Sequence, residues 1–71
     1  MKLHYYPETD SLYIELGTGA SAETREVATG LNVDLDAAGN VVGFDIDGAS
    51  GKLDLSSLEA IDLPIASLKA A

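Results

Sequence analysis

The chain has 71 residues, no cysteine, and 12 acidic against 4 basic residues, which give a formal net charge of −8 at pH 7. This length suits one domain, and without cysteine no disulfide can stabilise it. Because an acidic surface repels phosphates and anionic lipid, we expect neither a nucleic-acid partner nor a membrane partner.

The same numbers suggest how the protein associates. A chain this small gains little more from apolar burial than it loses in conformational entropy, so we expect a homodimer that supplies further burial. The acidic charge also suits a basic protein partner. Residues 1–20 lack the apolar core of a secretory signal, and no apolar run approaches the ~20 residues of a membrane span, so we expect a soluble cytoplasmic protein.

Residues 2–6 and 11–16 are predicted to form a β-hairpin around the loop 7–10. Apolar and polar residues alternate in residues 11–16, which is the period of a half-buried strand. With this loop, apolar residues face each other on one side of the hairpin and opposite charges face each other on the other. The predicted pairs are Tyr6 with Ser11, Tyr5 with Leu12, Leu3 with Ile14, and Lys2 with Glu15.

Residues 17–22 contain two glycines and small side chains, which is typical of a flexible connection. The polar run 23–27 follows and is predicted to be a short edge strand, because charged side chains protect an exposed edge from aggregation.

Residues 30–48 give the strongest pattern in the chain, two alternating runs around the turn 37–40. Gly39 or Asn40 is expected to supply a positive φ in that turn. Gly43 lies in mid-strand, where it indicates a bulge or a close backbone approach. The predicted pairs are Leu35 with Val42, Val33 with Phe44, Leu31 with Ile46, Asn32 with Asp45, and Asp34 with Gly43.

After Gly48 the pattern changes. Residues 49–51 are interpreted as a linker, and Ser56 and Glu59 form a capping box that predicts a short helix over 56–62. A further helical turn is predicted over 64–70, opened by Pro64. The apolar residues of this segment are expected to cover one face of the sheet; the alternative is that part of them packs on a partner chain.

These elements predict one α+β domain over residues 1–71. It consists of an antiparallel sheet of four or five strands in residues 1–48, arranged as a β-meander. A linker and a short C-terminal helical segment, packed on one face of the sheet, follow in residues 49–71.

Four aspartates are predicted to project from the polar face of the central hairpin: Asp34, Asp36, Asp45 and Asp47. Like charges on adjacent strands repel, and such an arrangement can indicate a cation site. Asp34, Asp36 and Gly39 match three positions of a calcium-binding loop, but Ala38 offers no ligand oxygen and Asp45 is shorter than the usual glutamate. We therefore consider a divalent-cation site at Asp34, Asp36 and Asp45 against a solvated polar face.

Catalysis has little support in the sequence. His4 is the only histidine, and no nucleophile or orienting acid can be assigned to it. We expect no enzymatic activity and no cofactor.

Several spaced blocks of the sequence resemble the domain of unknown function 2283 family, a group of small prokaryotic proteins. The family opens with Y-x-P-E-x-D-x-L-Y-I and has the centre V-D-x-D-x-x-G-x-V-V-G-x-x-I. In this chain the blocks are residues 6–14, 23–27 and 33–46. Phe44-Asp45 stands where the family often has Ile-Glu, and the residues after Gly51 are not part of the resemblance.

The resemblance implies a small antiparallel sheet with a helical tail, and it implies no catalytic residue. Some family members resemble neighbours of small toxin-like proteins, which implies an antitoxin or partner-binding role. We therefore expect a small, acidic, non-enzymatic protein-interaction module, with divalent-cation binding as the alternative.

Overall fold

The computed structural model describes residues 1–64 and contains five strands followed by one short helix. The elements in chain order are β1 (Lys2–Tyr6), β2 (Ser11–Glu15), β3 (Glu23–Ala28), β4 (Leu31–Leu35), β5 (Val41–Asp47) and α1 (Ala49–Lys52). This confirms the small antiparallel α+β fold that the alternating pattern predicts.

The strands form a single sheet in the order β1-β2-β5-β4-β3, and every neighbouring pair is antiparallel. The connection 16–22 therefore leaves β2, beside the edge strand β1, and reaches the opposite edge, where β3 lies as predicted. Two backbone hydrogen bonds fix its ends: Leu16 donates to the carbonyl of Val42 at 3.0 Å, and Ala22 donates to the carbonyl of Leu35 at 2.8 Å.

The register of β1 and β2 is confirmed at all four predicted pairs. Four of the five pairs predicted for β4 and β5 are also confirmed. The pairing of Leu35 with Val42 was wrong, because Leu35 lies opposite Val41 and a register shift separates this pair from Asp34 and Gly43. Val42 is the extra residue of a β-bulge, and the irregularity lies beside Gly43, where the mid-strand glycine indicated one.

The two faces of the sheet differ in chemistry. One face carries the apolar rows, since Leu12 pairs with Ile46 and Ile14 pairs with Phe44 across the centre. The buried apolar residues are Leu12, Val33, Val42 and Ala49. Within the described part of the chain no large side chain is completely buried, so the core is thin.

The helix lies earlier in the chain than the sequence predicts. Residues 49–52 form α1 where a linker was predicted, and residues 56–62 are not helical. The capping box was wrong because Asp54 binds Ser56, accepting its backbone N–H at 3.0 Å and its hydroxyl. An aspartate that bonds the backbone two residues on favours a turn over a helix start. Beyond Pro64, the helical turn predicted over 64–70 lies outside the described residues.

Helix α1 is held against the loop between β1 and β2. Asp10 accepts hydrogen bonds from the N–H of Ala49 at its carbonyl (2.9 Å) and from the hydroxyl of Ser50 at its carboxylate (2.7 Å). On the other side of the helix, Lys52 Nζ donates to the carbonyl of Asp47 at 2.7 Å. The segment from 53 to 58 then runs along the apolar face of the sheet.

Candidate functional site

The centre of the polar face is the carboxylate of Asp34. Tyr13 on β2 donates its hydroxyl to Asp34 Oδ2 at 2.7 Å, and Thr24 on β3 donates to Oδ1 at 2.6 Å. The Tyr13 ring lies directly over Gly43, where an added Cβ would be 2.7 Å from Tyr13 Cζ. Only glycine leaves room for the ring, which confirms the predicted close approach at Gly43.

This contact changes the acidity of the tyrosine. The hydrogen bond to Asp34 raises the pKa of Tyr13 to about 12, with smaller contributions from burial and from the nearby charges of Glu15 and Asp45. The phenol therefore remains protonated throughout the physiological range and acts as a fixed donor to Asp34.

Asp45 shares the polar face with Asp34 and Asp47. Burial, followed by the charges of Asp47 and Asp34, raises the pKa of Asp45 above its usual range. Arg25, the cation on β3, forms its ion pair with Glu23 at 3.0 Å rather than with one of these aspartates. The charges of Asp47 and Asp34 thus repel that of Asp45, as the sequence predicts for like charges on adjacent strands.

Asp36 has a different role from the other aspartates. Its carboxylate accepts the N–H groups of Ala38 and Asn40, both at 2.9 Å, and the side-chain amide of Asn40 at 3.2 Å. These bonds, that of the Asn40 N–H first, lower the pKa of Asp36. Gly39 supplies the positive φ of this turn, at +86°. Asp36 thus stabilises the turn between β4 and β5.

The structure therefore divides the candidate cation ligands. Asp34 and Asp45 lie on the polar face, while Asp36 bonds within its own turn. Among residues 1–64, no group of three or more histidine, aspartate or glutamate side chains is arranged to hold a metal ion. Cation binding at Asp34, Asp36 and Asp45 stays a prediction, which calorimetry with calcium, magnesium and manganese tests.

His4 lies on the polar face of β1, opposite Tyr13 as the register predicts. Its ring stacks on that of Tyr6, with centroids 6.4 Å apart and planes inclined by 23°. Because β1 is an edge strand, this histidine lies at the border of the sheet rather than in a cleft.

The opposite face contains an apolar groove of about 490 Å³ beside β1. One wall comes from the sheet and the other from the chain that follows α1. The apolar residues that line it are Leu3, Tyr5, Leu12, Leu53, Leu55 and Leu58. Tyr5 is 45% exposed, Leu55 is 43% exposed and Leu58 is 65% exposed, so large apolar side chains here remain open to solvent.

Asp10 connects the two walls of the apolar groove. Its carboxylate accepts the Tyr5 hydroxyl at 2.7 Å from the sheet wall, and the Ser50 hydroxyl from α1, which leads into the second wall. The bonds from Ser50 and then from Tyr5 lower the pKa of Asp10. Asp10 also adopts a positive φ of +51°, which aspartate tolerates better than most residues.

Comparison with known families shows which family the chain belongs to. A family model described as "Protein of unknown function (DUF2283)" matches residues 2–50. The chain belongs to this family. No curated protein and no solved structure matches the chain.

The two DUF2283 motifs quoted above coincide with contacts that hold the fold together. Aligned on Pro7, the opening motif has its first tyrosine at Tyr5, one residue before the block given above, and its aspartate at Asp10; these two residues bond each other. The second tyrosine of that motif is Tyr13, which bonds Asp34, the first aspartate of the central motif. The motif residues therefore have structural partners within the chain, and none of these contacts requires a ligand.

Sequence reasoning missed two of these features. Asp10 was interpreted only as a loop residue, although the opening motif places an aspartate there. The bond between Tyr13 and Asp34 crosses from β2 to β4 over Gly43, and only the strand order brings those two residues within reach. Within residues 1–64, no helix is long and apolar enough to cross a membrane.

Proposed function

We propose that this protein is a non-enzymatic interaction module that binds another protein through the apolar groove. The observation that carries the proposal is the solvent exposure of Tyr5, Leu55 and Leu58 in one concave surface. Large exposed apolar surfaces in soluble proteins are typical of binding sites, and concave ones accept side chains of a partner.

The charge of the chain favours a basic partner. With a net charge of −8, the protein attracts cationic proteins at long range and repels anionic ones. A groove that supplies apolar contact within an acidic surface suits an amphipathic basic segment. An antitoxin-like role is the finer form of this proposal, because an antitoxin of this kind acts by occupying a basic partner.

The structural roles of the motif residues support a binding function over catalysis. Tyr13, Asp34 and Asp10 have their polar groups bonded to other residues of the sheet and of α1. A catalytic group must instead be directed at a reacting atom. His4, at the border of the sheet, lies on the face opposite the groove.

The test is capture of partners from a lysate of the source organism by the immobilised wild-type chain and by Leu58→Glu. Leu58 is 65% exposed, so the substitution places a charge in the groove with little effect on folding. Val27→Glu is the matched control, because Val27 is 58% exposed on β3, at the far edge of the sheet. A captured protein is then purified and titrated against all three.

We expect a basic protein that binds the wild type and Val27→Glu equally and binds Leu58→Glu at least tenfold more weakly. The proposal is overturned if no captured protein rebinds after purification, or if Leu58→Glu binds it as well as the wild type does.

A further inference from the structure

The two edges of the sheet differ in how well they are protected. At one edge, β3 has a register shift between Glu26 and Ala28 and three charged residues among six, Glu23, Arg25 and Glu26. Bulges and charges of this kind prevent pairing with another strand. At the other edge, β1 pairs with β2 in an unbroken register and has one charged residue, Lys2. Among the described residues, no strand covers its outer side.

The hydrogen-bond pattern shows which groups of β1 are free. Leu16 donates to the carbonyl of Val42, so even-numbered residues of β2 direct their backbone groups at β5. Because the direction alternates along an antiparallel strand, odd-numbered residues of β2, such as Tyr13, face β1. Tyr13 pairs with His4, so the backbone groups of His4 point into the sheet. Those of Leu3 and Tyr5 point outward.

We propose that a second copy of the chain fills this edge, pairing β1 with β1 about a two-fold axis at His4. The proposal goes beyond the proposed function, because it concerns the edge of β1, and either can hold without the other. Leu3 of each copy then lies opposite Tyr5 of the other, and both residues present outward N–H and C=O groups. Four backbone hydrogen bonds result, two for each pair.

Other registers of the β1–β1 pair leave more of the outward backbone N–H and C=O groups without a hydrogen bond. Placing Leu3 opposite Leu3 leaves Tyr5 opposite Met1, outside β1, and placing Tyr5 opposite Tyr5 leaves Leu3 opposite Pro7, which has no N–H. Directly opposite residues share a face, so pairing Leu3 with Tyr5 also keeps both apolar faces on the same side. The dimer is one continuous sheet of five strands from each copy.

The pairing brings the two apolar grooves together across the junction. The exposed side chains beside this edge are Leu3, Tyr5, Leu53, Leu55 and Leu58, with exposures of 38–65%. At roughly 150–250 Å² for a large aromatic side chain, and less for leucine, they offer on the order of 500 Å² per copy. Complete burial of this surface in both copies removes about 1,000 Å² from solvent, which is the lower limit for a specific interface. A second copy also supplies the burial that the thin core lacks. The two chains repel each other through their net charges of −8, but β1 has Lys2 as its one charged residue, so no carboxylate lies on the strands that pair.

A single cysteine tests both the dimer and its register, because the natural chain has none. The two His4 positions form a non-hydrogen-bonded pair with Cα atoms about 4.5 Å apart, within the range that a disulfide spans. His4→Cys is therefore expected to form a disulfide dimer rapidly under mild oxidation at micromolar concentration. Glu26→Cys is the control, since Glu26 lies on the same face at the opposite edge.

We expect His4→Cys to cross-link at least tenfold faster than Glu26→Cys. A mixture of Lys2→Cys and Tyr6→Cys is expected to cross-link faster than either variant alone, because the register places these positions opposite each other. Light scattering of the wild type is expected to give twice the chain mass of 7.4 kDa. The proposal is overturned if the wild type stays monomeric up to millimolar concentration, or if His4→Cys cross-links no faster than the control.

These outcomes are independent of the lysate experiment. A monomer that still binds a captured partner through Leu58 refutes the dimer and leaves the interaction module intact. A dimer that captures no other protein supports self-association and refutes the broader function.

Discussion

Tyr13 on β2 contacts residues of two other strands, β5 and β4. Its ring covers Gly43 on the neighbouring strand, and its hydroxyl reaches Asp34 one strand further on. An aromatic ring over a strand glycine replaces packing that the glycine itself cannot provide. Three strands are thus joined by one side chain.

Tyr13→Phe isolates the hydroxyl from the ring. We expect a loss of about 1 kcal/mol in the free energy of unfolding at pH 7, as is typical of one hydrogen bond, measured by urea denaturation. Because the pKa of Tyr13 is raised to about 12 from an ordinary value of 10.0, this stabilisation is fully present below pH 10. It is lost as the pH rises from 10 through 12.

The difference between the wild type and Tyr13→Phe is therefore expected to shrink over that alkaline interval. Tyr6→Phe serves as the control, since Tyr6 is an exposed tyrosine of β1 and its hydroxyl can be removed without affecting Asp34. Equal stability of Tyr13→Phe and the wild type at pH 7 would contradict the assigned role.

At the scale of elements, α1 depends on Asp10 more than on its own sequence. A four-residue helix is far too short to be stable alone. Asp10 accepts bonds from the backbone N–H groups of Ala49 and Ser50 and from the Ser50 hydroxyl, so it stabilises the helix start from outside.

Asp10→Gly removes the carboxylate while favouring the positive φ at this position. We expect the helix amides of Gly51 and Leu53, which bond back to residues 48 and 49, to exchange hydrogen much faster while the sheet stays protected. Asp10→Asn, which retains an acceptor oxygen, is expected to show a smaller effect. Unchanged exchange at Gly51 and Leu53 in Asp10→Gly would show that the helix is held by other contacts.

The same element responds to acid. The pKa of Asp10 is lowered by its bonds with Ser50 and Tyr5, so the carboxylate stabilises the folded state above its ordinary pKa of 3.8. This contribution is lost as the pH falls below 3.8 through the lowered value. Protection of the helix amides is expected to follow that pH range in the wild type and to be independent of it in Asp10→Gly.

At the scale of the whole molecule, the net charge of −8 opposes compaction. At Asp45 the ionised carboxylate is locally unfavourable, because burial and the charges of Asp47 and Asp34 raise its pKa. A raised carboxyl pKa means that the ionised form disfavours folding, so this destabilisation is present above the folded pKa and is relieved as the pH falls through it toward the ordinary value of 3.8.

Asp45→Asn is expected to raise the thermal midpoint at pH 7 by stabilising the fold by about 0.5 kcal/mol, because it removes repulsion between neighbouring strands. The gain should decrease between about 0.01 and 0.15 M salt, as the Debye length falls from about 30 to about 8 Å. Glu8→Gln removes an equal charge from the loop 7–10 and controls for net charge alone. If both variants gain equally, the repulsion at Asp45 is not local.

Features that depend on neighbours in sequence could be predicted, and those that depend on strand order could not. The pairing of Val33 with Phe44 follows from alternation and a short turn, because a slip by one residue would expose the core face. The bond from Tyr13 to Asp34 requires β2 to lie beside β5, which no local pattern specifies. The helix prediction at Ser56 was wrong because Asp54, two residues earlier, bonds the same N–H.

The adjacency of β2 and β5 also determines how the chain reaches this fold. Residues 2–15 and residues 23–47 can each form through contacts close in sequence, but joining them brings together positions as distant as Ser11 and Asp47, 36 residues apart. Contacts of such separation carry most of the loop-closure entropy of folding. We therefore expect docking of the two blocks along Ile14 and Phe44 to be the slow step of folding, and side chains at that seam to influence its rate.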